Sequence, residues 1–357
     1  MPPGKSVSAE ANLLLYRESR EKNSPDCPNL PLNLLVEVTS RCNLSCRMCN
    51  IHHDTKSGVV ISEALLEGTF ELAKTARAVS PFGLGEPLLH PDIVRIAGRY
   101  KSSGAFVGLV TNGMLLTVRI SRGFIESGLD QLVVSVDAAD PDLFAKIRRG
   151  ADLNKISDNI TALNRLKKTL RAANPSLALN VVVQSDNFSQ LTRITRLAEK
   201  WDIHFITFVP VTVHEHILEI RNEAVTHGAD KWQEILEQCR REAERAGISI
   251  DTRQLVHVLR GESPEESYRE IVPCPEPFRF VGIRANGDLF PCCNWDLSDP
   301  LATLSGIADP ALSDFEKAWR NQKWQELREM VISGRYPDQC RKCMRNFTRP
   351  FLDEIVS

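Results

Sequence analysis

No run of about 20 uninterrupted apolar residues occurs in the sequence, so a membrane-spanning helix of ordinary length is not expected. Nor is there an excess of positive charge. Its 44 lysines and arginines face 46 aspartates and glutamates, so neither a nucleic-acid backbone nor an anionic membrane is an expected partner. The opening Met-Pro-Pro-Gly-Lys is followed by polar residues, without the apolar stretch of a secretory signal, and a cytoplasmic setting is expected. Low-complexity tracts and strict repeats are also missing. Cysteine is abundant by contrast: there are ten in 357 residues, in a chain too large for a disulfide scaffold. In a reducing compartment, clustered cysteines hold metals or do redox chemistry. Cys42, Cys46 and Cys49 form one cluster and Cys292, Cys293, Cys340 and Cys343 another, while Cys27, Cys239 and Cys274 stand apart.

Short apolar runs alternate with helical patterns over the first two thirds of the chain. The runs are Leu34–Val38, Ala78–Phe82, Phe106–Val110, Leu132–Val136, Leu177–Val183 and His204–Val209. Each is nearly continuous in apolar residues, as for a parallel strand covered on both faces. Between them, one helix is predicted from the N-cap Ser62, another from Pro91 to Gly104, and a third over Phe188 to Lys200. Six such units in series predict an α/β fold, a partial (β/α)6 barrel of the TIM type. The predicted organisation is an N-terminal segment over 1–33, the barrel over 34–212, a helical connection over 213–273, and a small α+β domain over 274–357. A helix over Ala229–Ala246 and a short strand near Ile248–Ile250 belong to the connection.

The first cluster follows the first predicted strand, with spacing Cys-x3-Cys-x2-Cys. Three thiolates so close can converge on one soft metal centre and leave one iron of a four-iron cluster without a protein ligand. Loops after barrel strands build the active face, so the position suits catalysis. Zinc is the alternative, with His52 and His53 as further ligands. In the C-terminal part, Asn286-Gly287 between apolar runs predicts a hairpin that brings Cys274 and Cys292 together. A helix bearing Phe315, Trp319, Trp324 and Leu327 follows, and then Cys340 and Cys343 complete a closed four-cysteine site, for which zinc is again the alternative. Cys292 fits the spacing better than Cys293.

Together these motifs resemble the radical S-adenosylmethionine (SAM) superfamily, with a C-terminal twitch-type extension, the shortened form of the SPASM domain. Gly83-Leu84-Gly85-Glu86-Pro87 is similar to the family's Gly-Gly-Glu-Pro segment, which implies that Gly85 and Glu86 receive the SAM ammonium. Thr111-Asn112-Gly113 and Ser135-Val136-Asp137 match further family segments, which implies cofactor contacts for Asn112, Ser135 and Asp137. The resemblance likewise places Arg148 or Arg149 at the SAM carboxylate and Asn180 near the ligand. Met48 stands where an aromatic residue often packs on the adenine.

The implied cofactors are SAM and two [4Fe–4S] clusters, one bound by Cys42, Cys46 and Cys49 and one auxiliary. A reduced flavodoxin or ferredoxin-type protein is the implied electron donor. The expected reaction is hydrogen abstraction from a small polar molecule, with oxidation of a sugar or aminocyclitol alcohol through the auxiliary cluster. The alternatives are an epimerase or a C–C bond-forming enzyme acting on a sugar, nucleoside or peptide, with Cys293 or Cys239 as hydrogen donor for epimerisation, and a zinc-stabilised binding protein. The short segment before strand one argues against a peptide maturase. His214, Glu215 and His216 follow strand six, and Glu215 and His216 are candidate bases for a substrate radical.

Overall fold

The computed structural model describes residues 7–49, 58–212, 231–260 and 273–341. Seven parallel strands follow one another across the sheet: β1 (Asn33–Val36), β3 (Ala78–Ser80), β4 (Phe106–Thr111), β5 (Gln131–Ser135), β7 (Ser176–Val183), β8 (Phe205–Pro210) and β9 (Ser249–Asp251). Two further strands, β2 (Ser45–Cys46) and β6 (Arg148–Arg149), pair with each other outside this sheet. The six expected strands are all present, and β9 adds a seventh beside β8. The segment read as a connection therefore continues the barrel: its helix α8 (Trp232–Ala246) packs on α7 (Leu191–Lys200). Ile248 is buried there, which ties β9 to the core.

Sequence also explains the helices between strands. Ser62 accepts a hydrogen bond from Leu65 N–H and starts α2 (Glu63–Ala73), as its N-cap chemistry predicts. Helix α3 (Ile93–Ser102) buries Ile93, Ile96, Ala97 and Tyr100, the apolar side of its 3.6-residue period. Strands β4 and β8 alternate buried with half-buried residues instead of being covered on both faces. Leu109, Leu132, Leu179, Ile206 and Phe208 are fully or almost fully buried. The other face belongs to an open barrel and leaves Asn180 and Thr207 half-buried. In that row Ser135 opposes Asn180, Asn180 opposes Thr207, and Thr207 opposes Asp251. In-register residues of parallel strands share a face, so the four form one polar line across the sheet.

The predicted hairpin forms, as β10 (Phe280–Ile283) and β11 (Asp288–Phe290), with Gly287 at φ +93° in its turn. It is not set apart as a separate layer. Strand β10 pairs in parallel with β1 from Asn33↔Phe280 to Val36↔Ile283, and β12 (Ala302–Thr303) follows β11. The barrel sheet and the C-terminal hairpin are one ten-stranded sheet, because the open edge of β1 offers unpaired backbone groups that β10 satisfies. The predicted single helix with Phe315 and Trp324 is two helices, Leu312–Trp319 and Gln322–Ile332. Asn321 breaks them apart by capping the second, accepting from Trp324 N–H at 2.9 Å. No helix among the described residues is long and apolar enough to cross a membrane.

Candidate functional site

Beyond β1 the chain enters the loop that carries Cys42, Cys46 and Cys49, all of them partly buried. Cys46 is fixed by strand pairing: Ser45–Cys46 runs antiparallel to Arg148–Arg149, and Arg47 N–H donates to Ile147 C=O at 2.9 Å. Arg47 also pairs with Asp186 at 3.0 Å, and Lys146 meets the same carboxylate at 2.9 Å. Burial pushes the Cys42 and Cys46 thiols above their ordinary range, whereas the Arg148 cation pulls both down. A soft cation is the natural partner of such a thiol group, since it binds the deprotonated form. A loop of three thiols therefore suits an iron–sulfur cluster with one iron left open. His52 and His53, the zinc alternative, lie outside the described residues.

Glu86 adjoins this loop and is 2% exposed. Its Oε1 accepts from Leu88 N–H at 3.0 Å and from the Thr111 hydroxyl at 2.7 Å, and its Oε2 accepts from Asn112 N–H at 2.7 Å. A carboxylate offers about four acceptor positions, so room remains for one more donor. Burial raises the Glu86 carboxyl above its ordinary range in spite of these bonds. Gly85 is required by close approach: a Cβ there would lie 2.2 Å from Thr39 C=O.

Asn112 was expected to face the cofactor. Its side-chain amide donates to Asn43 Oδ1 at 2.9 Å and accepts from Met114 N–H at 3.0 Å, which engages one of its two donors and one of its two acceptor positions. It ties the thiol loop to the end of β4. Asp137 likewise turns inward. It is fully buried, Oδ1 accepts from Val182 N–H at 2.8 Å, and Oδ2 lies 2.6 Å from Arg148 Nε. That ion pair is held by proximity without hydrogen-bond alignment. Both oxygens of Asp137 face protein, whereas in the neighbouring polar row Ser135 is buried and Asn180, Thr207 and Asp251 are half-buried. Of the two candidate arginines, Arg148 is the buried one and Arg149 is exposed. Burial opposes the Arg148 charge, but Asp137 and the Cys46 thiol outweigh it and hold the guanidinium above its ordinary range. Met48 and Val182, the latter near the C-terminal end of β7, both pack against Val211.

Glu37 was missed by the sequence reading. It is buried at the end of β1, accepting from Leu84 N–H at 3.1 Å and from Arg284 Nε at 2.8 Å. An acid within an apolar strand run is the signal that could have found it. Through it, the hairpin turn holds the Gly83–Glu86 loop.

A second group of thiols lies beyond β11. Cys274, Cys292 and Cys340 line one apolar hollow, open to solvent, with Trp295, Leu327 and Tyr336. Cys274 N–H donates to the Tyr336 hydroxyl at 3.3 Å. Cys292 is the member that faces the hollow and Cys293 is exposed. Three thiols in an apolar wall fit a soft metal cluster. Cys343, the expected fourth ligand, lies outside the described residues, as do Glu215 and His216. Cys239 is fully buried, 3.4 Å from the Thr192 hydroxyl, and belongs to the helix core. Cys27 is also buried, bonded to Asn29.

Two family models match the chain: the radical SAM superfamily over residues 36–181 and an iron–sulfur cluster-binding domain, SPASM, over 274–344. The chain is 23% identical over 332 residues to the PqqA peptide cyclase of Gluconobacter oxydans, covering 89% of this chain and 84% of that protein. It is 29% identical over 167 residues to the tungsten-containing aldehyde ferredoxin oxidoreductase cofactor-modifying protein of Pyrococcus furiosus. That match covers 46% of this chain and spans only 47% of the relative. Among solved structures, Streptococcus suis SuiB bound to its precursor peptide SuiA superposes with a TM-score of 0.66 at 14% identity, over 88% of this chain and 70% of the other. That likeness is one of fold, and it fits the partial barrel.

Proposed function

The chain belongs to the radical SAM superfamily and carries a SPASM-type iron–sulfur domain, and from that premise we propose that it oxidatively modifies a peptide. When bound, the first cluster supplies the electron that cleaves SAM to a 5′-deoxyadenosyl radical, and the auxiliary cluster takes up an electron from the substrate. The observation that carries the reading is the apolar hollow formed by Cys274, Cys292 and Cys340. With Cys343 as the fourth ligand expected from sequence, these thiols would hold a fully cysteine-ligated cluster, a kind suited to passage of electrons and not to binding of substrate.

Each residue has a stated task in this proposal. Glu86 accepts the SAM ammonium at its remaining acceptor position, a charge-assisted bond in a buried setting. Arg148, held at Nε by Asp137, directs the rest of its guanidinium at the SAM carboxylate. Met48 closes over the adenine. Ser135, Asn180 and Thr207 present the polar row to SAM or substrate. With SAM and both clusters bound, oxidation of the substrate would remove one hydrogen atom, one electron to the auxiliary site and one proton, and Glu215 and His216 are the candidate bases for that proton. Substrate oxidation and 5′-deoxyadenosine formation then balance. A reduced flavodoxin or ferredoxin-type protein supplies the starting electron.

The peptide substrate is supported by the near full-length similarity to a peptide cyclase. It replaces the sugar or aminocyclitol expected from sequence, which no relative named above supports. The test is anaerobic reconstitution with SAM, a reductant and short peptides encoded beside the gene, followed by mass spectrometry. A peptide two hydrogens lighter, formed together with 5′-deoxyadenosine, is expected. Turnover of sugars or aminocyclitols with no change in any peptide would overturn the substrate class.

A further inference from the structure

We propose that Arg20, in the helix that precedes the barrel, sets the reduction potential of the auxiliary cluster. The inference rests on the presence of that cluster and not on the identity of the substrate. Arg20 closes the last turn of α1 (Ala9–Glu21). Its Nη2 donates at 3.1 Å to the carbonyl of Pro273, the residue before Cys274. Its guanidinium lies 4.3 Å from the centre of the Phe278 ring. Cys274 and Tyr336 are within its electrostatic reach, and Tyr336 in turn feels both Cys274 and Cys340. A fixed cation therefore stands beside the segment that carries Cys274 into the thiol hollow.

Packing does not require a charge at this position. Helix α1 is already anchored by Asn12, whose amide donates to Leu30 and Thr75 carbonyls and accepts from Leu30 N–H. Ser19 adds a bond to Asp26 C=O. An apolar side chain of the same length would cover Phe278 equally well. Moreover, Arg20 Nη1 is buried and meets no acceptor among the described residues. Buried donors are almost always satisfied, so an orphan calls for a partner. A thiolate-ligated cluster is an acceptor of the right kind, since hydrogen bonds to its sulfurs and nearby charge are what tune its potential.

The sign follows from electrostatics. Reduction adds one negative charge to the cluster, so a nearby cation stabilises the reduced form more than the oxidised one. In an apolar wall this interaction is screened less than in water. Arg20 thereby raises the potential and makes the auxiliary site a readier acceptor of the substrate's electron. A segment outside the cysteine domain thus takes part in its redox chemistry.

The test is a redox titration followed by electron paramagnetic resonance on the reconstituted full-length protein, wild type against Arg20→Met and Arg20→Lys. The triple variant Cys42→Ala, Cys46→Ala, Cys49→Ala assigns the auxiliary signal. Arg20→Met should lower the auxiliary midpoint by the equivalent of about a tenfold change in the oxidised-to-reduced ratio, roughly 59 mV for one electron. The first cluster should keep its midpoint, and Arg20→Lys should retain most of the wild-type value. Should Arg20→Met fail to load iron, Arg20→Gln, which keeps a polar donor and removes the charge, carries the same expectation. An auxiliary midpoint unchanged on loss of the charge, or an equal shift of both clusters, would overturn the proposal. A wild-type protein that loads only the first cluster would instead overturn the auxiliary site itself.

Discussion

The pair formed by Asp137 and Arg148 invites a direct perturbation. Both side chains are almost sealed from water, with Asp137 at 0% and Arg148 at 9% exposure, and their charged atoms are 2.6 Å apart. Removing one partner of a buried pair leaves the other charge without compensation, a cost of about 3–5 kcal/mol. Unfolding entropy near 2.1 cal/mol/K per residue, over 357 residues, amounts to about 0.7 kcal/mol per kelvin. Asp137→Asn or Arg148→Met should therefore lower Tm by about 4–7 °C in scanning calorimetry. The double variant should lose less than the sum of the singles, with a coupling of about 1–3 kcal/mol. The pair also has a local readout. Arg148 is the strand partner of Cys46, so each single variant should lose iron from the first cluster and keep the auxiliary one. Strictly additive costs, or an intact first cluster in both single variants, would refute the idea that Asp137 acts by holding Arg148.

Other outcomes follow from the same geometry. Cys292→Ala should remove the auxiliary cluster and Cys293→Ala should not, as read by iron content, because only Cys292 faces the hollow. Replacing Cys42, Cys46 and Cys49 together by alanine should leave about four irons and abolish SAM cleavage; cleavage at the normal rate would be incompatible with this site. Glu86→Gln should weaken SAM in an equilibrium binding assay without loss of iron. Because burial raises the Glu86 carboxyl and the ammonium needs its ionised form, SAM affinity should fall on acidification at a pH above the ordinary carboxylate range. The Gln variant should lack that dependence. Gly85→Ala should disrupt the loop and impair SAM binding, since its Cβ would sit 2.2 Å from Thr39 C=O; unchanged binding would argue against the close approach.

Much of this architecture was legible in the chain because its signals are local. The alternation of apolar runs with capped helices locates the barrel strands, and Asn286-Gly287 marks the hairpin. The preference for Cys292 over Cys293 came from spacing; Cys292 is half-buried and Cys293 exposed. What was not legible depends on partners far apart in sequence. Nothing local in Phe280–Ile283 tells that it pairs with Asn33–Val36, more than two hundred residues earlier. The inward turn of Asp137 depends on Arg148 and on the amide of Val182. Asn112 carries the residue type of a ligand contact, yet its amide closes a bond to Asn43 across 69 residues. The helix break at Asn321 was local and was overlooked, since the apolar period continues through it while the capping chemistry interrupts it.

The in-register pairing of β10 with β1 also bears on how such a protein can be taken apart or rebuilt. A cysteine-rich tail joined by a linker could be gained, lost or exchanged as a module. Here, removal of the tail would strip β1 of its neighbour and Glu37 of Arg284, and so loosen the loop that carries Glu86. A shortened protein ending before residue 273 would be a damaged barrel with a sticky edge, prone to self-association. Recombination between relatives should accordingly succeed only when β1 and β10 are inherited from the same parent.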